Sequence, residues 1–115
     1  MNFKETIMSK IFEPLKIGHL TIPNRIIMAP LTRTRASAGR VPNELMAEYY
    51  RQRADAGLIL SEATSVDPLG VGYPNTPGIW SKEQVAGWKL VTSAVHQAGV
   101  EQWIDRYLWQ RRANP

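Results

Sequence analysis

The stretch IIMAPLTRTRA runs from Ile26 to Ala36. Its first half, Ile26 to Leu31, is a compact apolar run of the kind that forms a buried strand. Pro30 cannot donate a ladder hydrogen bond, so regular pairing is expected to stop near it. Beyond the proline come Thr32 and two arginines in alternation, Arg33 and Arg35. A core strand ending this way sets hydroxyl and cation chemistry at one end of a sheet.

Upstream, IFEPLKIGHLTIPNRI alternates apolar residues with turn formers. Leu15, Ile17, Leu20 and Ile22 predict two short strands joined near Gly18-His19, a small hairpin before the main fold. Downstream, the loop TRTRASAGRVP leads to Asn43, a helix cap for ELMAEYYRQRADA. Glu44 favours the first turn, and Gly57 reads as the stop. Leu45, Met46, Tyr49, Tyr50 and Ala54 keep near one apolar face. LILSEATSV is the next strand, with Leu58 to Leu60 its buried part. DPLGVGYPNTPGIW has the Gly, Pro and Asn density of a long structured loop. Ser81 and Gln84 then form a capping-box pattern for a second helix. Its apolar stripe is Val85, Trp88, Val91, Val95 and Ala98, and Gly99 closes it.

The order is hairpin, strand, loop, helix, strand, loop, helix. Alternating βαβα implies parallel strands joined by right-handed crossovers. In parallel sheets and barrels, ligands bind at the C-terminal strand ends. The polar-ended strands APLT and SEAT therefore bring their chemistry to one common face.

Composition excludes several function classes. The 115 residues suit one ordinary domain, and a 43% hydrophobic, 21% charged make-up is globular. Cysteine is absent, which rules out disulfides, thiolate catalysis and Cys-based zinc sites, and fits a reducing cytoplasm. The net charge of +4 includes a local group, Arg33, Arg35 and Arg40, but no block of five like charges. The N-terminus has no apolar run of signal-peptide length, and no stretch has bilayer-spanning length. Met8 offers a second start, which would make the residues before it an extension.

No metal-ligand spacing is visible; His19 and His96 stand alone, and His96 suits a helix C-terminus as a cation. There is no G-x-S-x-G elbow, and GVGY at Gly70 to Tyr73 lacks the context of a dinucleotide fingerprint. The strand ends remain. Thr32 can donate a hydroxyl proton to a carbonyl, Pro30 stiffens the backbone, and Ala63 lets a flat ring approach closely. Tyr73 and Trp80 are candidates for a pocket mouth. Ordinary β-to-loop turn chemistry explains the same residues without any ligand.

FEPLKIGHLTIPNRIIMAPLTRTRA, YYRQRADAGLILSEATSV and GYPNTPGIWSKEQVAGWKLVTSAVHQAG resemble, in order and spacing, the N-terminal part of the old yellow enzyme family. These are FMN-dependent ene-reductases, including bacterial N-ethylmaleimide reductases and plant 12-oxophytodienoate reductases. The resemblance implies an α/β fold, the N-terminal part of a TIM (β/α)8 barrel: a short hairpin followed by two βα units. It implies FMN at the C-terminal strand ends and NAD(P)H as reductant. The hydride passes on to the β-carbon of an activated alkene, and a tyrosine supplies the proton. Carried over by position, Ala29, Pro30, Leu31 and Thr32 match the segment along the flavin, with Thr32 at its C4 carbonyl. Ala63 matches the small residue of the second strand end. Tyr73 matches an aromatic bordering the substrate pocket. No catalytic residue is assigned.

The resemblance covers Ile11 to Gly99. On this reading residues 1–10 are an N-terminal extension, 11–99 a partial barrel domain and 100–115 a divergent tail. The family's flavin-binding glutamine is not matched by Gln102 or Gln110. In the tail, Val100, Trp103, Ile104, Tyr107 and Leu108 recur at helical spacing. The tail reads either as a helix or as an out-of-frame end whose pattern is accidental, and the abrupt end of the resemblance favours the second. A barrel takes about 250 residues. Two strands alone leave Ile26, Ile27, Leu58 and Ile59 without facing partners. The isolated chain is therefore expected to bind FMN weakly or not at all and to reduce no alkene. The partner expected is a small activated alkene, with neither nucleic acid nor membrane. The contrasting reading is a non-catalytic interaction module, acting through the open sheet edge and the basic aromatic tail.

Overall fold

The computed structural model describes residues 10–99 and the backbone of 101–102. The hairpin is β1 (Leu15–Ile17) and β2 (Leu20–Ile22), antiparallel with Leu15 opposite Ile22. Gly18 makes the turn at φ 60°, which a side chain would resist. The main sheet is parallel and ordered β3 (Ile27–Met28), β4 (Leu58–Ile59), β5 (Glu101–Gln102). Ile27 pairs with Leu58, and Leu58 in turn with Glu101. Regular pairing in β3 ends before Pro30, as its missing N–H requires.

Helix α1 (Glu44–Arg51) connects β3 to β4. Asn43 starts it: its Oδ1 accepts the Met46 N–H at 3.0 Å. Its Nδ2 donates to the Arg35 carbonyl at 2.8 Å, so the cap also pins the loop before it. The helix stops earlier than Gly57. Three-residue turns take over after Tyr50, with Arg53 N–H donating to Tyr50 O and Ala54 N–H to Arg51 O. Gly57 serves close approach instead of termination. A Cβ there would lie 2.2 Å from the Asn24 carbonyl oxygen. Its own N–H donates to Ile26 O at 2.8 Å, where the chain enters β4.

Helix α2 (Lys82–Gln97) carries the expected capping box. Ser81 Oγ accepts the Gln84 N–H at 3.1 Å, and Gln84 Oε1 accepts the Ser81 N–H at 3.0 Å. Gly99, at φ 90°, follows its end. The core joins Met46, Ala47 and Tyr50 of α1 to Trp88, Val91 and Val95 of α2 over Ile59. Trp88 Nε1–H donates to Gly78 O at 3.1 Å, so the ring is buried with its polar atom satisfied.

Three expectations change. Leu45 is 62% exposed and Val85 38% exposed, because the buried faces run through 46, 47 and 50 and through 84, 88, 91 and 95. Leu58 and Ile59 are both buried, Ile59 in the core beneath the helices, whereas Ile26 and Ile27 remain 43% and 44% exposed at the free edge of β3. A helical start to the tail is overturned, since Glu101–Gln102 pair with β4 as a third parallel strand. The rest of the tail's helical pattern lies outside the described residues. Among those residues no helix is long and apolar enough to cross a membrane.

Candidate functional site

Past β3 and β4 the chain stays extended and leads two loops to the C-terminal side of the sheet. The first loop, residues 32–43, leaves β3 past Thr32. The second, residues 60–81, leaves β4 through Ser61, Glu62, Ala63 and Thr64. Along this extension Ser61 is buried beside Glu62, and only Ala63 breaks the run. Glu62 and Thr64 are buried, whereas Ala63 is exposed. Glu62 thus points into the protein and Ala63 toward the ligand side.

The second loop is built, not slack. Asp67 caps a 3-10 turn over Pro68–Gly70, its Oδ1 accepting the Leu69 N–H at 3.0 Å. Ser65 N–H donates to Pro77 O at 3.1 Å and Ile79 N–H to Ser65 O at 2.8 Å, closing the loop on itself. The two loops are also joined: Ala36 N–H donates to Asn75 O and Gly78 N–H to Arg40 O, at 3.0 and 2.9 Å, while Gln84 Nε2 of α2 holds the first loop at Gly39 O, 3.0 Å away.

Between the loops lies a cavity of about 220 Å³. Thr32 enters it from the first loop, and Ala63, Tyr73 and Thr76 from the second. Three of the residues singled out in the sequence therefore share one cavity, although they are far apart in the chain. Ala29, Pro30 and Leu31 do not line it; they form the exposed run leading to Thr32. Trp80 does not line it either. Its ring faces a neighbouring cleft with Ser37, Arg40 and Asn75. Thr64, Ser65, Gly70, Gly72 and Thr76 also line the cavity. The sequence carried little signal for them beyond the Gly-rich composition of their loop.

Beneath the site, Tyr50 and Glu62 form a buried pair that sequence reading missed. The Tyr50 hydroxyl donates to Glu62 Oε2 at 2.8 Å and accepts the Glu62 N–H at 2.9 Å. Two bonds to one residue fix the backbone next to Ala63. Burial, reinforced by the Glu62 charge, pushes the Tyr50 phenol well above its ordinary value. Burial likewise raises the Glu62 carboxyl, against the opposing pulls of the Tyr50 hydroxyl and of Arg33. Glu62 Oε1 is buried with no hydrogen-bond partner of good geometry among the described residues. The signal for this pair was faint: a polar glutamate among apolar residues, twelve positions beyond a helical tyrosine.

The donor set fits one edge of a flat, carbonyl-bearing ring. Thr32, Ser65 and Thr76 offer hydroxyls, and Ala63 and the glycines leave room for a close approach. The volume is below the ~300–1,000 Å³ of complete small-molecule sites, so the cavity is too small to enclose such a ligand by itself. Among the described residues no lysine or arginine lines it, so it brings no cation to a phosphate.

Known proteins resemble this chain in sequence and in fold. The family model for the NADH:flavin oxidoreductase / NADH oxidase family matches residues 10–113, which takes the match past Gly99. The NADP-dependent oxidoreductase lnbE of Aspergillus flavus is 50% identical over 105 residues, spanning 90% of this chain and 27% of that protein. The old yellow enzyme homologue of Zymomonas mobilis superposes with a TM-score of 0.80 at 54% identity, covering 83% of this chain and 27% of its own. Morphinone reductase in complex with tetrahydroNAD superposes with a TM-score of 0.79 at 53% identity, covering 82% and 26% respectively. The chain spans about a quarter of the length of these relatives.

Proposed function

The chain belongs to the NADH:flavin oxidoreductase / NADH oxidase family, and from that premise we propose that its strand ends form one edge of the FMN site of an ene-reductase. The observation that carries the proposal is the meeting of Thr32, Ala63 and Tyr73 around one cavity on the C-terminal side of a parallel sheet.

In this reading FMN, when bound, supplies hydride transfer from NAD(P)H to an activated alkene. The chain's own residues bind and orient. The Thr32 hydroxyl donates to a ring carbonyl, which favours the electron-rich ring and tunes its potential. Ala63 keeps the second strand end low enough for the ring to lie against it. Ala29, Pro30 and Leu31 run alongside as a stiff approach segment. Tyr73, 66% exposed, borders the place for the alkene. Among the described residues this cavity offers no cation, so its part in the reading is to hold the ring and not the phosphate. The NADP dependence in the Aspergillus relative's name supports NAD(P)H as the reductant. A cytoplasmic setting suits a chain without cysteine.

A chimera tests the proposal. Residues 10–99 replace the matching segment of the Zymomonas mobilis relative. The purified chimera should carry flavin absorbance and oxidise NADPH in the presence of an enone. A folded chimera that holds no FMN would overturn it.

A further inference from the structure

Arg40 lies outside the cavity, yet its side chain reaches two residues that line it. The backbone there is unusual. Arg40 is at φ 60° and Asn75, across from it, at φ 55°, a left-handed conformation uncommon for residues with a side chain. Such a conformation persists only where surrounding contacts hold it. Those contacts are present. Arg40 Nη1 donates to Tyr73 O at 2.9 Å, to Thr76 O at 3.0 Å and to Thr76 Oγ1 at 2.8 Å. Thr76 Oγ1 in turn donates to Tyr73 O at 3.2 Å. The Arg40 carbonyl accepts from Gly78 N–H, so side chain and backbone grip both sides of the 73–76 turn. Tyr73 and Thr76 are cavity-lining residues; Arg40 is not.

We infer that Arg40 is a positioning residue: by holding the Tyr73–Thr76 turn, it fixes the cavity wall on which Tyr73 stands and so sets which ring-shaped ligands the site admits. The inference deepens the FMN-edge reading and rests on it for the ligand's identity. All three bonds leave one nitrogen of the side chain, Nη1, whose charge and fixed plane aim it at the turn. A guanidinium presents several donors in a rigid plane, and its charge strengthens bonds to carbonyl oxygens. Lysine can make the same contacts as a point donor, with less fixed geometry. Methionine keeps the apolar stem and makes none.

The test uses the full 115-residue chain, labelled with nitrogen-15, with Arg40→Met and Arg40→Lys alongside the parent. Backbone order parameters are read at Tyr73, Asn75 and Thr76. In the parent these amides should be as rigid as the helices, about 0.85, and in Arg40→Met they should fall below about 0.6 while Val91 and Val95 stay unchanged. Arg40→Lys should recover part of the order. FMN titration supplies a readout that general loosening would not give. In the Zymomonas mobilis chimera carrying the parent residues, FMN should shift the amides of Thr32, Ala63 and Tyr73. In the chimera with Arg40→Met it should still shift Thr32 and Ala63 but leave Tyr73 unmoved. Rigid Tyr73–Thr76 amides in Arg40→Met would overturn the inference. If that variant loses the whole fold, Arg40→Lys decides alone: partial loss of order confined to the turn supports the inference, and none overturns it. If the turn loosens as expected but FMN moves no amide in the chimera, the positioning role stands and the FMN-edge reading fails.

Discussion

At the scale of single residues, the strongest dependence lies under the ligand side, at Tyr50 and Glu62. The Tyr50 hydroxyl both donates to and accepts from Glu62. Tyr50→Phe would leave a buried N–H and a buried carboxylate oxygen without partners. Each such loss costs about 1–3 kcal/mol. Urea unfolding should therefore show a drop on the order of 2 kcal/mol or more, and an unchanged midpoint would contradict the pairing. Glu62 also predicts a pH dependence. Its carboxyl is raised in the folded chain, above the ordinary 4.5. Below that value folded and unfolded chains both hold the proton. As pH rises, the unfolded chain releases its proton first, so stability falls until pH passes the raised folded value. The difference in urea midpoint between parent and Glu62→Gln, followed from about pH 4 upward, should widen in favour of the variant. A difference that stays flat with pH would show that Glu62 does not titrate abnormally.

At the scale of elements, each helix is defined by its caps and by what passes close to it. The caps were legible: Asn43 begins α1, and Ser81 with Gln84 begins α2, because capping chemistry is local and needs no knowledge of the fold. The glycines were not legible in the same way. Gly57 reads as a helix stop, yet its role is to let Asn24 pass, a contact made across more than thirty residues. Gly87 is a similar case. In an exposed helix, Gly→Ala would stabilise by about 1 kcal/mol. Here a Cβ would sit 2.4 Å from the Pro42 carbonyl oxygen, which is backbone and cannot swing aside. Gly87→Ala should lower the thermal midpoint despite its better helix propensity. A rise would show that α2 and the loop before α1 are farther apart than described. Leu45 teaches the same lesson from the other side. Its apolar character placed it on the core face, but only packing partners select between adjacent stripes of one helix, and the partners chose Met46, Ala47 and Tyr50.

At the scale of the whole molecule, the parallel order and the common ligand side followed from the alternation of elements alone. That Thr32 and Ala63 would come to one side of the sheet was legible because both follow the ends of parallel strands. Tyr73 and Thr76 meet them through a loop whose course is set by long-range bonds. Among these is the Arg40 guanidinium, thirty-three residues from Tyr73, and a linear reading leaves Arg40 only a place in a basic cluster. The third strand was missed because Glu101 and Gln102 have no strand character of their own; pairing with Leu58 and Ile59 makes them one. The central claim concerns the cavity these parts enclose, and Ala63 tests it well. It is exposed and lines the cavity, so a larger side chain there fills the ring's place without disturbing the core. The measurement is FMN affinity, by flavin fluorescence, in the Zymomonas chimera with and without Ala63→Leu, beside thermal midpoints for both. The account predicts at least a tenfold loss of affinity, about 1.4 kcal/mol, with midpoints of the flavin-free proteins unchanged. Equal affinity in the two proteins would contradict it.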